Sequence, residues 1–224
     1  MNRLLISSLH AVVALTFAAS ATAAAPTYTF DQPAGSGSYS YLDPSFTKLT
    51  DGIIGKAGWD ISSATEWVGW DKAGCCGPGL AANSPINIDF DFGSAQNFSK
   101  VSVGSTQDST YGKIILPSVE VYAWNGSGWD LKGSLSVPFS LTNDKVSTDP
   151  SAHTWLDVSG LNFVAQKLRV SLIMNSNTFT NEAMRWTFAD EVRFTASPVP
   201  ELSTGSMALV GSLITLAAVR RRKH

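Results

Sequence analysis

Cysteine is nearly missing from this 224-residue chain: there are two, Cys75 and Cys76, side by side in GCCGPG. A structural zinc site needs four ligands, and no partners for these two thiols stand near them. Histidine is as scarce, and of the three only His153 falls in the body of the chain, where it reads as a surface residue ahead of TWLDVS. The G-x-S-x-G elbow, the H-E-x-x-H helix and the phosphate-binding loop do not occur, so the common hydrolase, metalloprotease and nucleotide-binding classes have no motif here. Charge is thin at 15% of residues. Residues 24–198 carry eleven basic against seventeen acidic side chains, a net of −6, with no basic run. That balance argues against nucleic acid as a partner. There is no internal repeat, and no window between the two ends sustains the 3.6-residue period of an amphipathic helix.

What is present begins with the two ends. Arg3 precedes an apolar stretch from Leu4 to Ala18, and Ala21-Thr22-Ala23 fits the small-residue cleavage pattern. This is the layout of a secretory signal peptide over residues 1–23. At the other end, Met207 to Val219 is an apolar run of thirteen residues stopped by RRRKH. A spanning helix needs about twenty residues, so the run is a weak anchor whose basic end would stay cytoplasmic.

The order Val199-Pro200-Glu201, a short apolar helix and Arg220-Arg221-Arg222 resembles the PEP-CTERM sorting signal of exported bacterial proteins. Leu202 departs from it, because the family usually has proline there. The resemblance covers residues 197–224. It implies transient contact with the inner membrane, removal of the tail by an exosortase-type protease, and a mature protein at the cell surface, in the outer envelope or in the extracellular matrix.

The roughly 175 residues between the ends are the size of one domain, able to bury about 70% of the unfolded surface without staples. Strand patterns dominate. INIDFDF alternates Ile86, Ile88, Phe90 and Phe92 with Asn87, Asp89 and Asp91, the period of two that marks a half-buried strand. SVEVYAW sets Val119, Val121 and Ala123 against Glu120, Tyr122 and Trp124, and runs through NGSG, a hairpin signal, into a return strand beginning at Trp129. KVSVGS, TWLDVS, KLRVSLIM and DEVRFTA are further strands. Residues 24–37 form a leading segment with one edge strand and a loop. Many short strands between turn signals predict an all-β fold, an antiparallel jelly-roll sandwich.

KLTDGIIGKAGWDISSATEWVGWD followed by INIDFDFGSAQNFSKVSV, then LPSVEVYAWNGSGW and KLRVSLI, resembles the discoidin (coagulation factor type C, galactose-binding-like) family over residues 38–196. The family is an eight-stranded jelly roll whose members bind glycans, lipid headgroups or proteins through loops at one end. Its carbohydrate-binding members often hold a structural calcium. The resemblance puts that site at Asp51 and the backbone of Gly52, with Glu191 from the last strand. Calcium takes six to eight oxygen ligands, and two carboxylates with turn carbonyls suffice in kind. The alternative is that Asp51 only bonds its own turn.

Indole faces stack on sugar rings and suit half-wet sites, so Trp67 and Trp70, beside the Gly-rich WVGWDKAGCCGPG, are candidate ligand contacts, as are Asp108 and Tyr111 in TQDSTYGK. Trp59 reads as a core residue. In an oxidising compartment Cys75 and Cys76 are expected to close a vicinal disulfide, with pairing to another chain as the alternative. Asp89 and Asp91 share a strand face and could be glycosidase carboxylates, but a solvated strand face looks the same. The expectation is a non-enzymatic, exported protein binding glycan or exopolysaccharide through end loops. Its rivals are a structural or adhesive matrix protein acting by protein contacts and, third, a polysaccharide hydrolase.

Overall fold

The computed structural model describes residues 25–35, 41–55, 66–71, 84–109, 114–145, 153–174 and 186–196. These form eight strands and two short 3-10 turns, with no α-helix among them. In chain order the strands are β1 (Thr27–Phe30), β2 (Val68–Asp71), β3 (Ile86–Ser105), β4 (Ser118–Trp124), β5 (Trp129–Leu135), β6 (Thr154–Ile173), β7 (Trp186–Ala189) and β8 (Val192–Ala196). The expected all-β, antiparallel architecture is what the structure shows.

A six-stranded sheet runs β1-β3-β6-β4-β5, with β8 also on β3, and β2 pairs with β7 in a second, two-stranded sheet. Every strand pairing is antiparallel. β3 holds β6 along nearly its whole length and has two neighbours on its other edge. Its first half pairs with β1 and its second half with β8. Val68, Trp70 and Ala189 of the small sheet join the same buried cluster as Ile86, Ile88, Val121, Leu168 and Val170 of the large one. The core therefore lies between two sheets, as in a sandwich. A smaller cluster of Tyr41, Trp67, Ile114, Trp186 and Phe188 is centred on β7.

The alternation read from the sequence decides which side chains enter that core. In β4, Val119, Val121 and Ala123 are buried, while Glu120, Tyr122 and Trp124 turn the other way. The hairpin also lies where NGSG puts it. Asn125 Oδ1 accepts from the N–H of both Ser127 and Gly128, and Gly126 takes a φ of 99°.

Two features differ from expectation. INIDFDF and KVSVGS are one strand of 20 residues, as are TWLDVS and KLRVSLIM. The segments between these patterns are bends inside continuous ladders: Gly93 and Gly160 have φ of 71° and 73°, and β3 slips register against β6 between Asp91 and Gln96. Such bulges bend a strand and increase its twist. Here the bend brings Phe92 and Phe98 to 4.9 Å of each other. Second, VGWD is strand β2 with all four residues buried, rather than part of a loop. The leading segment supplies β1, which is built into the large sheet.

The expected signal peptide, the sorting tail with Val199, Pro200, Glu201 and Arg220 to Arg222, and Trp59, Cys75, Cys76 and Tyr111 lie outside the described residues. No helix among the described residues is long and apolar enough to cross a membrane.

Candidate functional site

The end-loop candidates are not surface groups where they are described. Trp67 and Trp70 are both 0% exposed. Trp67 lies flat against Gly55, where an added Cβ would come within 2.3 Å of the indole, and meets Phe188 edge-on at 6.2 Å. Trp70 sits edge-on to Phe30 at 5.6 Å. An indole with no open face cannot stack on a sugar. Asp108 is also buried, its backbone bridged to Ile114. Strand pairing explains these differences: β2 and the bridge at Asp108 draw inward segments whose glycines suggested loops.

The structure does bring Asp51, Gly52 and Glu191 together. Asp51 Oδ1 accepts from Ile53 N–H at 2.8 Å, and Glu191 Oε2 accepts from Gly52 N–H at 3.0 Å. Burial pushes the Glu191 carboxyl above its ordinary range, and the charge of Asp51 adds to the shift. A buried carboxyl beside a second carboxylate is an environment a hard cation relieves. One oxygen of each carboxylate already accepts a backbone N–H, and no group of three His, Cys, Asp or Glu side chains is placed for a metal among the described residues. These residues fit calcium in kind. The remaining ligands would be main-chain carbonyls and water.

Beside this turn, buried Asp190 accepts from Gly55 N–H at 2.7 Å and lies 3.0 Å from His153 Nε2. His153, read from the sequence as a surface residue, stands just ahead of β6 as a mostly buried partner of Asp190 in the β7–β8 turn, with 9% of its side chain exposed.

The outer face of the large sheet carries a different set of groups, laid out in rows by the register. One row runs Thr29, Asp89, Arg169, Tyr122 and Leu131 from β1 to β5. On one side of it lie Thr27, Asp91 and Lys167, and Trp124 paired with Trp129; on the other lie Asn87, Ser171 and Glu120.

Cross-strand bonds tie the rows. Arg169 donates from Nε and Nη2 to the two oxygens of Asp89 at 2.7 and 2.9 Å, the bidentate geometry that suits guanidinium and carboxylate. Lys167 stands 3.3 Å from Asp91. Ser171 donates to Asn87 at 2.5 Å, and Asn87 donates to Asp31 at 2.6 Å. Tyr122 donates to Glu120. Asp89 holds the Arg169 guanidinium above its usual range. The Gly93 N–H, then Gln166 and Lys167, hold the Asp91 carboxyl below its own.

Two indoles stand in this polar field. Trp124 and Trp129 meet at 5.3 Å and 63°, and the Arg169 guanidinium covers the Trp129 ring at 4.5 Å. Trp124 remains 39% exposed. A hollow of about 410 Å³ lies on one side of Trp129 among Thr27, Asp89, Asp91, Trp124 and Lys167. A second, of about 320 Å³, lies on its other side among Asn87, Glu120, Tyr122, Arg169 and Ser171. Neither indole was singled out from the sequence as a contact, yet a signal was present. SVEVYAW places tyrosine and tryptophan on the polar side of an alternating strand, where packing does not call for them.

No family model matches the chain, and no curated protein matches it. Solved structures that it resembles include CpGH89CBM32-5 from Clostridium perfringens, in complex with GalNAc-beta-1,3-galactose, at 10% identity and a TM-score of 0.45 over 76% of this chain and 95% of that one. The family 32 carbohydrate-binding module of NanJ from C. perfringens, in complex with galactose, matches at 11% identity and a TM-score of 0.43, over 75% and 92%. The corresponding module of AlyQ, in complex with 4,5-unsaturated mannuronic acid, matches at 14% and 0.42, over 76% and 95%. At such scores no residue role passes from them to this chain.

Proposed function

We propose that this protein is an exported bacterial glycan-binding protein of the cell surface or exopolysaccharide matrix, and that it holds its ligand on the outer face of the large sheet without cleaving it. The observation that carries this reading is the exposed indole of Trp124, set beside Trp129 within a ladder of carboxylate, amide, hydroxyl and guanidinium groups. An aromatic platform takes the apolar face of a sugar ring, and charged hydrogen-bonding groups around it take the hydroxyls. The sheet face is preferred because, among the described residues, the end-loop candidates Trp67, Trp70 and Asp108 are buried, while Tyr111 lies outside them. The placing of the described carboxylates supports binding without cleavage. Asp89 and Asp91 stand side by side on one strand, each held by a β6 cation, whereas glycoside hydrolysis needs two carboxyl groups flanking the scissile bond.

In this reading calcium at Asp51 and Glu191 steadies the turn, and the tail is a processing signal for an exosortase-type protease. The test is affinity electrophoresis of the full chain through gels carrying soluble polysaccharides. Retardation by at least one polymer, weakened about tenfold or more in Trp124→Ala, is the expected result. Equal retardation of the variant would remove the site from this face. Self-association with no retardation by any polymer would favour the adhesive reading.

A further inference from the structure

The two hollows have Trp129 as a common wall and succeed each other along β3 and β6: Asp89, Asp91 and Lys167 line the first, and Pro85, Asn87 and Ser171 the second. From Pro85 to Asp91 is six residues of strand, roughly 20 Å at the usual rise. That length exceeds one sugar ring several times over. Both hollows are open to solvent along the sheet face. A site built for a chain end closes around one ring; this one is a trough with a ridge in its middle.

The charges on the trough point further. Asp31, Asp89, Asp91 and Glu120 are four carboxylates on or bonded to this face, against two cations, Lys167 and Arg169. Each cation is already held by a carboxylate of the face, Lys167 at 3.3 Å and Arg169 at 2.7 Å. A polyanion laid here would meet net negative charge and would have to compete for both cations. Sugar hydroxyls, which donate as well as accept, suit carboxylates and the Asn87 side chain.

We infer that the ligand is the interior of an uncharged polysaccharide chain, running along β3 and β6 through both hollows and over the edge of Trp129, and that it is neither a terminal sugar nor a polyuronate. This rests on the reading that the sheet face holds a glycan. Trp124 is the open stacking platform. Trp129, one face of which is covered by Arg169, is the ridge that sets the path.

Calorimetry on the full chain tests it, with neutral cello-, laminari- and manno-oligosaccharides of increasing length and with polygalacturonate. In the series that binds, affinity should rise about tenfold or more from the monosaccharide to the tetrasaccharide. Trp124→Ala should flatten that rise, and polygalacturonate should not compete even at low salt. Val164→Ala, at an exposed position of β6 that lines neither hollow, is the control and should retain the length dependence. A monosaccharide binding as tightly as the longest oligomer, or displacement by polygalacturonate, would overturn the inference while leaving glycan binding intact. Failure of every neutral oligomer and polymer to bind would overturn both.

Discussion

Trp124 and Trp129 begin as a cross-strand pair closing a hairpin, and their surroundings then give them different work. Arg169 occupies one face of Trp129, while Trp124 keeps an exposed ring. Trp124→Ala should therefore cost binding and little stability, since a partly exposed side chain loses little packing. Polysaccharide retardation alongside a thermal melt separates the two effects. Asp89→Asn tests the support beneath them. It removes the charge that holds Arg169 in a bidentate grip, and it should lower polymer affinity by freeing the guanidinium from its place on Trp129. If any hydrolysis of the polymer were seen and then lost in Asp89→Asn, the non-catalytic reading would fail. At the other end of the molecule, burial raises the Glu191 carboxyl. For a raised carboxyl, the stabilising contribution is complete below the unfolded value near pH 4.3 and is lost as pH rises through the folded value. In chelator, Glu191→Gln should accordingly melt a degree or two higher than the parent at pH 7, with the gain vanishing near pH 4. Added calcium should raise the melting temperature of the parent and not of the variant. Equal responses of the two would take Glu191 out of any metal site.

At the scale of the element, the bends in β3 and β6 shape the sheet. Gly160 sits inside β6 with φ of 73° and open space around its α-carbon, so a methyl group would meet no neighbour and the cost of substitution is conformational. Gly160→Ala should destabilise by about 1 kcal/mol, read as a lower denaturation midpoint with unchanged slope. Gly69→Ala should cost more. Its Cβ would lie 2.4 Å from the Phe188 ring, in the contact that joins β2 to β7. These positions also show where sequence patterns stop being informative. Strict alternation in INIDFDF and SVEVYAW gave the faces observed, and in SVEVYAW the bounds as well, because one face is buried and a slip would turn every side chain over. FGSAQ and SGLNF look like loops because a bulge suspends the period of two while the ladder continues. WVGWD does not alternate because β2 is buried throughout, and a short buried strand beside glycines has no periodic signature. The site was legible only in part for a related reason. The convergence of Asp51, Gly52 and Glu191 followed from the family resemblance, but a trough shared by β3, β4, β5 and β6 depends on a strand order that no local pattern carries.

The whole molecule, as proposed, is a body whose described residues are built on strands, carried between two targeting segments, with a polar and aromatic sheet face as its working surface. The targeting segments have a direct check: mass spectrometry of the protein from its native envelope should find the chain beginning near Ala24 and ending close to Glu201. A full-length mass would contradict export and tail processing without touching the binding face. The face itself is tested most directly by indole resonances. With the full chain titrated by the neutral polymer that retards it, the side-chain N–H signals of Trp124 and Trp129 should move and saturate together, while those of buried Trp67 and Trp70 stay in place. Shifts confined to the turn of Asp51, Gly52 and Glu191, with Trp124 and Trp129 unmoved at saturation, would contradict the account.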